Sequence, residues 1–536
     1  MSERPKLAGN SPRLIVVPAT PRPLLPLWAA ILVVLGAGPV LDAGFPDLDI
    51  WPLAFVGIGL ILVALIGRSA RGSLLVGLVA GLSFYLVHIE WAALFLGLVP
   101  MTALATLESL FFAVGSLLIT LAYRWLPRLW SGPAGRLGML PLAIAGLWTA
   151  REAIASVWPY GGFAWGRVSL SQSQGPFSDL FAWLGVSGVS FVMVFLVALA
   201  IEAGRFGALP RLARATVAVA AASAVLIVPA LPPAIDGSLR VLAVQGNGKA
   251  GYFDQRQQGD LLQAQLDATA PFVGQAVDVV VWPESGTDVD PLRSAAAARA
   301  LDRVSDSFDA PLVTGVIQAR GEQIFNSSVV WRSGEGIGDT YDKRHPVPFG
   351  EYVPDRAFWR PFAPDLIDLI GRDYTPGISD AVVDLGGVIA GLNICFDIVD
   401  DQLMTETVEE GARVVFAQSN NADFGEVRDG EQYFTDESVQ QLAIARIRAL
   451  ELSRSVVVIS TVGTSAIIGP DGSTLASLPI YTPDGMVEDV PLSSAVTPAV
   501  RFGRGIEWLV SGLGLGALLV AAAASRRLRR DEVADA

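Results

Sequence analysis

The sequence predicts a polytopic α-helical membrane domain of about eight spans joined to an extracytoplasmic α/β domain. The 536 residues are 52% hydrophobic and have a mean hydropathy of +0.49, which is too apolar for an ordinary soluble protein. Long apolar runs fill the first 235 residues and return at 506–524, with a more polar stretch between them. We therefore predict a membrane domain over 1–235, an α/β domain over 236–500, and a last span with a basic cytoplasmic tail over 501–536.

The membrane domain is predicted from apolar runs of the length that a bilayer requires. A hydrocarbon core of about 30 Å needs roughly 20 apolar residues per helix. The candidate spans are 24–41, 51–67, 73–91, 102–123, 139–157, 180–201, 214–232 and 506–524. Pro39 weakens the first span, and the fifth is weakened by Arg151 and Glu152, which we expect to form a structural pair. Residues 1–23 carry prolines and charges without a small-residue cleavage site, so we expect no cleavable signal.

The loop charges predict the orientation of the spans. Lysine and arginine are concentrated before the first span and after the second, fourth, sixth and eighth, where RRLRR (526–530) ends the series. The loop DAGFPDLD (42–49) after the first span has neither residue. By the positive-inside rule, both termini are then cytoplasmic and the 236–500 domain lies outside the cytoplasm. The net charge of −14 and the lack of a basic stripe argue against nucleic-acid binding.

One loop of the membrane domain has an unusual composition. The stretch SVWPYGGFAWGRVSLSQSQGP (156–176) is aromatic, glycine-rich and polar, and it would lie on the outer face. Its residues Trp158, Tyr160, Phe163 and Trp165 fit an interfacial aromatic belt. They fit equally well the lining of an access path for a lipid, and the sequence leaves both interpretations open.

The α/β domain is predicted from short apolar runs that alternate with stretches of helical spacing. The predicted strands are 239–247, 276–285, 310–317, 326–331, 387–396, 412–420, 455–463 and 465–472, and the predicted helices are 256–273, 291–308 and 437–454. The sequence contains no GxSxG elbow, no P-loop and no Cys/His set for zinc. We therefore expect no metal and no dissociable cofactor.

Three chemically active side chains stand at or just beyond the ends of apolar runs. Glu284 ends VVVWPES, Lys343 lies in YDKRHPVPFGEYVP, and Cys395, the only cysteine, ends GLNICF. Side chains at strand ends converge on a crevice in α/β sheets. A nearby ammonium favours a thiolate, and a buried carboxylate can take its proton. A carboxylate base is the favoured partner for Cys395, and a pair with His345 remains open.

These segments resemble known family blocks. WPES, YDKRHPVPFGEYVP and NICFD, in that order, are similar to the three signature blocks of the nitrilase (carbon–nitrogen hydrolase) superfamily, over about 240–500. The blocks GGFAWGRVSLSQ, SNNADFG and QQLAIARIRALELSR, together with the flanking spans, resemble the bacterial apolipoprotein N-acyltransferase family. The resemblance implies a four-layer αββα sandwich for the outer domain and a location in the bacterial inner membrane.

The resemblance also implies roles for matching residues. Cys395 would be the nucleophile, Glu284 the general base, Lys343 the oxyanion-stabilising cation and Glu351 a supporting glutamate. Asp397 stands where the family usually has glutamate, so the carboxylate is one methylene shorter. A second departure is Asp423 in SNNADFG, where an aromatic or small residue is commoner.

The activity implied is transfer of an acyl chain from phospholipid, through a thioester on Cys395, to the α-amino group of the S-diacylglyceryl-cysteine of an apolipoprotein. A membrane-tethered amidase is a second interpretation, because it would use the same triad with water as acceptor. A non-catalytic scaffold is the third, because some members of the family are joined or coupled to a polyprenol-phosphate mannosyltransferase. The sequence ends at Ala536 without such a domain, so we expect any mannosyltransferase partner to be a separate chain.

Overall fold

The computed structural model describes residues 22–208, 210–428 and 431–534. Side chains of 426–434 and 528–534 are not described. Three of the basic residues before the first predicted span, on which the predicted orientation partly rests, lie outside the described residues: Arg4, Lys6 and Arg13.

Helices form most of the first half of the described chain. They are α1 (Leu27–Asp42), α2 (Pro52–Leu65), α3 (Ala70–His88), α4 (Ala92–Leu96), α5 (Leu98–Leu129), α6 (Leu140–Ala155), α7 (Phe181–Arg205) and α8 (Arg211–Leu226). All but the short α4 overlap a predicted span. By length and composition, the described helices that could cross a membrane are Ala70–His88, Leu98–Leu129, Ser178–Arg205 and Pro498–Arg527. A membrane domain is therefore present, while the count of eight spans stays a prediction.

Helix α1 continues through Pro39, the residue that weakened it as a predicted span. Proline has no N–H, so the carbonyl of Leu35, four residues earlier, loses its helical partner. The Ser83 hydroxyl on α3 donates a hydrogen bond to that carbonyl at 2.7 Å. Close packing makes this contact feasible, because a Cβ on Gly38 would overlap the Ser83 side chain. A neighbouring helix thus satisfies the carbonyl group, as the bilayer interior demands.

The second half forms two mixed sheets of six strands each. The strands are β1 (Ile235–Gln245), β2 (Val279–Val281), β3 (Leu312–Arg320), β4 (Gln323–Arg332), β5 (Gly336–Asp342), β6 (Val382–Asp384), β7 (Ile389–Ile394), β8 (Val414–Ser419), β9 (Gly425–Arg428), β10 (Glu431–Phe434), β11 (Ser455–Ser460), β12 (Ser465–Ile468), β13 (Thr474–Leu478) and β14 (Asp484–Ser493). The helices are α9 (Asp260–Thr269), α10 (Ala295–Phe308), α11 (Arg356–Trp359), α12 (Pro364–Leu369), α13 (Asp401–Glu409), α14 (Asp436–Leu452) and α15 (Pro498–Ala534).

The two sheets share one strand pattern. Their orders are β14-β1-β2-β3-β4-β5 and β6-β7-β8-β11-β12-β13, and β9 pairs only with β10 among the described strands. In each sheet three parallel strands lie beside one antiparallel strand and, on the other side, an antiparallel pair. Side chains that follow parallel strands lie at the carboxyl edge of their sheet. Glu284 follows β2 of the first sheet, and Cys395 follows β7 of the second.

Apolar side chains fill three layers around these sheets. Val241, Val281, Leu392 and Phe416 belong to a buried cluster contributed by both sheets. A second cluster packs α9 and α10 on the outer face of the first sheet. On the second sheet α14 packs its buried face against β11, and this cluster continues into the membrane helices. The domain is therefore an αββα sandwich, with α14 facing the membrane half.

Candidate active site

Cys395 lies where β7 ends and a short 3₁₀ turn, Cys395–Val399, begins. Its backbone φ of +51° lies in the left-handed region, which is uncommon for a residue other than glycine. Such strained positions concentrate at functional sites. The thiol is half-buried, and Gln441 Nε2 on α14 lies 3.7 Å from Sγ.

Lys343 follows β5 and sits between two carboxylates. Its Nζ lies 2.8 Å from Glu351 Oε2 and 3.7 Å from Glu284 Oε1. Lys343 and Glu284 are both buried, so these charges interact in a poorly screened setting. Glu351 Oε2 also accepts a hydrogen bond from the Val347 backbone N–H at 2.7 Å. The structure thus brings the predicted base, cation and supporting glutamate together.

Asn326 at the start of β4 orients both glutamates. Its Nδ2 donates to Glu284 Oε1 at 2.7 Å and to Glu351 Oε1 at 3.0 Å. The Asn326 carbonyl accepts from the Lys343 backbone N–H at 2.8 Å, which continues the β4–β5 pairing and fixes the lysine. Sequence reasoning missed Asn326; the available signal was a polar residue at the head of an apolar strand.

The charges of the cluster shift each group's pKa. Burial raises the pKa of Glu284 to about 7, although Lys343 acts in the opposite direction. Burial opposes the charge of Lys343, but Glu351 and Glu284 outweigh it and raise the lysine pKa well above its usual value. Burial, followed by the charge of Glu284, raises the pKa of the Cys395 thiol as well. At neutral pH the site therefore holds a protonated thiol beside a titrating carboxylate and a fixed cation.

Asp397 ties the turn Cys395–Val399, which carries the predicted nucleophile (the nucleophile turn), to the segment 341–354 around Lys343 (the lysine segment). Its Oδ2 accepts from the Tyr341 hydroxyl at 2.8 Å and from the Ile394 backbone N–H at 3.2 Å. Its Oδ1 accepts from the His345 backbone N–H at 3.1 Å. The shorter carboxylate therefore reaches both sides of the site. The second departure from the family pattern, Asp423, instead accepts from the Tyr252 backbone N–H at 2.7 Å, outside this cluster.

The structure gives no support to the alternative hypothesis, in which His345 pairs with Cys395. The His345 imidazole contacts Asp400, with Nε2 3.5 Å from Oδ2. Within the described chain no hydrogen bond joins it to Cys395.

A cavity of about 200 Å³ adjoins the nucleophile turn. Its walls come from the 156–176 loop, the lysine segment and the turn, and include Tyr160, Ala164, Arg344, His345, Phe396 and Asp400. The Phe396 ring is stacked with those of Phe163 and Trp165, at centroid distances of 6.2 Å for both. Trp158, in contrast, is 62% exposed. Tyr160 is also exposed and lines the cavity, whereas Phe163 and Trp165 pack against Phe396.

Two arginines hold the turn from the membrane side. Arg448 on α14 donates to the carbonyls of Ile398 at 2.9 Å and Val399 at 2.8 Å. Arg167 from the 156–176 loop donates to the Val399 carbonyl at 3.3 Å and forms an ion pair with Asp401. Sequence reasoning assigned neither residue a role. The predicted structural pair of Arg151 and Glu152 is present, at 3.3 Å.

Comparisons with known proteins identify the family of this chain. Residues 37–199 match the model of the apolipoprotein N-acyltransferase N-terminal domain, and residues 240–497 match that of carbon–nitrogen hydrolase. An apolipoprotein N-acyltransferase of Mycolicibacterium smegmatis is 32% identical, over 92% of this chain and 85% of the relative. One from Azotobacter vinelandii is 30% identical, over 91% and 94%. An amidase structure from Nesterenkonia sp. covers 48% of this chain and 92% of that one, at 19% identity and a TM-score of 0.36. The chain belongs to the apolipoprotein N-acyltransferase family of bacterial membrane proteins.

Proposed function

We propose that this acyltransferase works by a two-step exchange at Cys395, with phospholipid as donor and the α-amino group of a diacylglyceryl-apolipoprotein as acceptor. The main support is that Glu284, Lys343 and Cys395 lie close enough to interact electrostatically, near a cavity to which the 156–176 loop and the nucleophile turn both contribute. The thiol suits the role of nucleophile, the carboxylate that of base, and the ammonium that of cation for the oxyanion.

The first step forms a thioester. Glu284 takes the thiol proton as Sγ attacks the ester carbonyl carbon of the phospholipid. The thiol pKa lies above that of Glu284, so proton transfer is completed only as the S–C bond forms. Lys343 and backbone N–H groups stabilise the oxyanion. When the intermediate collapses, the C–O bond breaks and the lysophospholipid leaves with the proton that Glu284 returns.

The second step forms an amide. The neutral α-amine of the acceptor attacks the thioester carbonyl, and the oxyanion again develops beside Lys343. Glu284 accepts a proton from the nitrogen and delivers it to the departing Cys395 thiolate. The products are the triacylated lipoprotein and the free thiol, so the enzyme returns to its starting state.

The proposal includes a membrane arrangement. Eight spans over the membrane regions, cytoplasmic termini and an outer 236–500 domain would hold the site beside the outer leaflet. Both substrates are anchored there, so the reactants need only diffuse within the membrane. Phospholipid as donor, and a separate mannosyltransferase chain as partner, are carried over from the family resemblance.

The decisive experiment is an intact-mass measurement. Purified protein would be incubated with phospholipid and no acceptor, alongside the Cys395→Ser variant. We expect a mass gain equal to one acyl chain that neutral hydroxylamine removes and that the variant lacks. A diacylated peptide added afterwards should discharge the adduct and become acylated.

Two outcomes contradict the proposal. No adduct on folded wild-type protein removes the thioester step. An adduct that water discharges as fast as the peptide does, without acylated peptide, indicates the amidase interpretation instead.

A further inference from the structure

A series of hydrogen-bonded polar side chains, which is separate from the proposed triad, reaches Cys395 through Gln441 on α14. Gln441 is buried, and its Nε2 lies 3.7 Å from Cys395 Sγ. Its Oε1 accepts from Asn421 Nδ2 at 3.0 Å, and the same Nδ2 donates to Glu437 Oε2 at 2.7 Å. Asn421 and Glu437 are also buried.

The orientation of these amides follows from a backbone donor. The Gly463 N–H donates to Ser460 Oγ at 2.9 Å, so the Ser460 hydroxyl proton is free to point at Asn421 Oδ1, 2.6 Å away. With the Ser460 proton on Oδ1, Asn421 presents its NH₂ group to the side-chain oxygen of Gln441. Gln441 is left with its own NH₂ group toward the thiol. The network thus satisfies every amide contact with the Gln441 N–H as the donor to sulfur.

We propose that Gln441 is a further catalytic residue, which donates a hydrogen bond to Cys395 Sγ when sulfur carries negative charge. Asn421 and Glu437 act as positioning residues for it. The inference rests on the proposed role of Cys395 as nucleophile and deepens it.

The chemistry favours the thiolate over the thiol. A hydrogen bond to an ionised acceptor is stronger than one to a neutral acceptor, so the Gln441 N–H stabilises sulfur most when it attacks and when it leaves. Burial raises the pKa of Glu437 to about 8, so this carboxyl is largely neutral at pH 7 and adds little charge opposing the thiolate. Gln441 on α14 thus adds stabilisation of the thiolate to that from Lys343, whose ammonium group also interacts with two glutamates.

The lone cysteine allows a direct test. The rate of alkylation by iodoacetamide would be followed against pH for the full chain in detergent, as wild type, Gln441→Met and Gln440→Met. Gln440 is the matched control, because it is one residue away and its Oε1 accepts from Trp165 Nε1 at 2.6 Å instead. We expect Gln441→Met to move the alkylation midpoint up by about one pH unit, an approximately tenfold slower reaction at neutral pH. Gln440→Met should leave the midpoint unchanged.

An unchanged midpoint in folded Gln441→Met, or equal shifts in both variants, overturns the inference. If Gln441→Met does not fold, Gln441→Glu replaces it, because it keeps the acceptor for Asn421 but sets a carboxylate against sulfur. It should shift the midpoint further upward, and no shift would overturn the inference. The wild-type acyl adduct tests the proposed function separately: an adduct with no Gln441 effect leaves that function standing.

Discussion

The ammonium group of Lys343 lies between the carboxylates of Glu284 and Glu351 and offsets the repulsion between them. Lys343→Met should slow formation of the acyl adduct by about 10²–10³-fold or more, because it removes the cation beside the oxyanion. The rate would be measured by intact mass in a single turnover.

Lys249 is a matched control for this change, as one of the chain's three lysines and an exposed one. Lys249→Met should react like wild type. A similar loss in both variants would count against a local role for Lys343.

Asn326 should set the acid limb of the pH profile. As the proposed base, Glu284 would act only when ionised, so adduct formation should fall as pH drops through its pKa of about 7. The Asn326 N–H favours the ionised form, so Asn326→Leu should raise the Glu284 pKa further and move the acid limb upward by about one pH unit. The measurement is the rate of adduct formation as a function of pH, over about two units on either side of neutrality.

Ser328→Ala serves as the comparison, because Ser328 lies two residues along the same strand and on the same face. Its profile should match wild type. An unshifted limb in folded Asn326→Leu would mean that Asn326 does not tune the base.

Single residues differ in how far the sequence could predict them. Glu284, Lys343 and Cys395 are polar groups that interrupt or end apolar runs, and that contrast is visible in one dimension. Gln441 looks like any polar position of a helix. Its contact with Cys395 joins residues 46 apart and depends on how α14 packs across the second sheet. Local patterns carry no information about such packing.

At the scale of elements, the nucleophile turn is held by more than its strand. Asp397 ties it to the lysine segment through Tyr341 and the His345 backbone, and Arg448 holds its carbonyls from α14. The left-handed φ of Cys395 persists because these contacts over-determine the turn. The geometry of Cys395 is therefore a property of three elements together.

Helices α3 and α5 pack through small residues, which gives a stability prediction. A Cβ on Gly81 would lie 2.7 Å from Ser109 Cα and 2.9 Å from Phe112 Cβ, so Gly81→Val must push the helices apart. Overpacking of this kind costs about 1–3 kcal/mol. We expect a lower melting temperature for the purified protein in detergent.

Gly36→Val is the control, because a Cβ there would meet nothing within 4 Å. It makes the same change in α1 and should melt close to wild type. If both variants melted alike, close packing at Gly81 would not be the cause.

Elements were predicted best where burial is uniform. The central parallel strands β1, β2, β3, β7, β8 and β11 fall on predicted apolar runs. The edge strand β14 was missed, because exposed, partly exposed and buried residues alternate irregularly along DGMVEDVPLS and the strand carries Pro491. Edge strands need no continuous apolar pattern, and proline is tolerated there.

At the scale of the whole molecule, an ion-pair network joins the two halves. Asp401 at the start of α13 pairs with Arg167 from the membrane half and with Arg448 from α14. Burial opposes its charge, but the two arginines outweigh it and lower the pKa of Asp401. Arg167 and Arg448 are buried, so loss of Asp401 would leave both guanidinium groups without this partner. The same arginines donate hydrogen bonds to the turn after Cys395, so the docking of the halves also positions Cys395.

The arrangement across the membrane gives the last prediction. In a Cys395→Ser background, a single cysteine would be placed at Gln275 or at Ser131, both exposed. Positive-inside charges put the loop at Ser131, after α5, in the cytoplasm and Gln275 outside. A membrane-impermeant maleimide should therefore label Gln275→Cys in intact spheroplasts, and Ser131→Cys only after permeabilisation. Labelling of Ser131→Cys from outside would reverse the orientation, and protection of Gln275→Cys would place the catalytic domain away from its proposed lipid-anchored substrates.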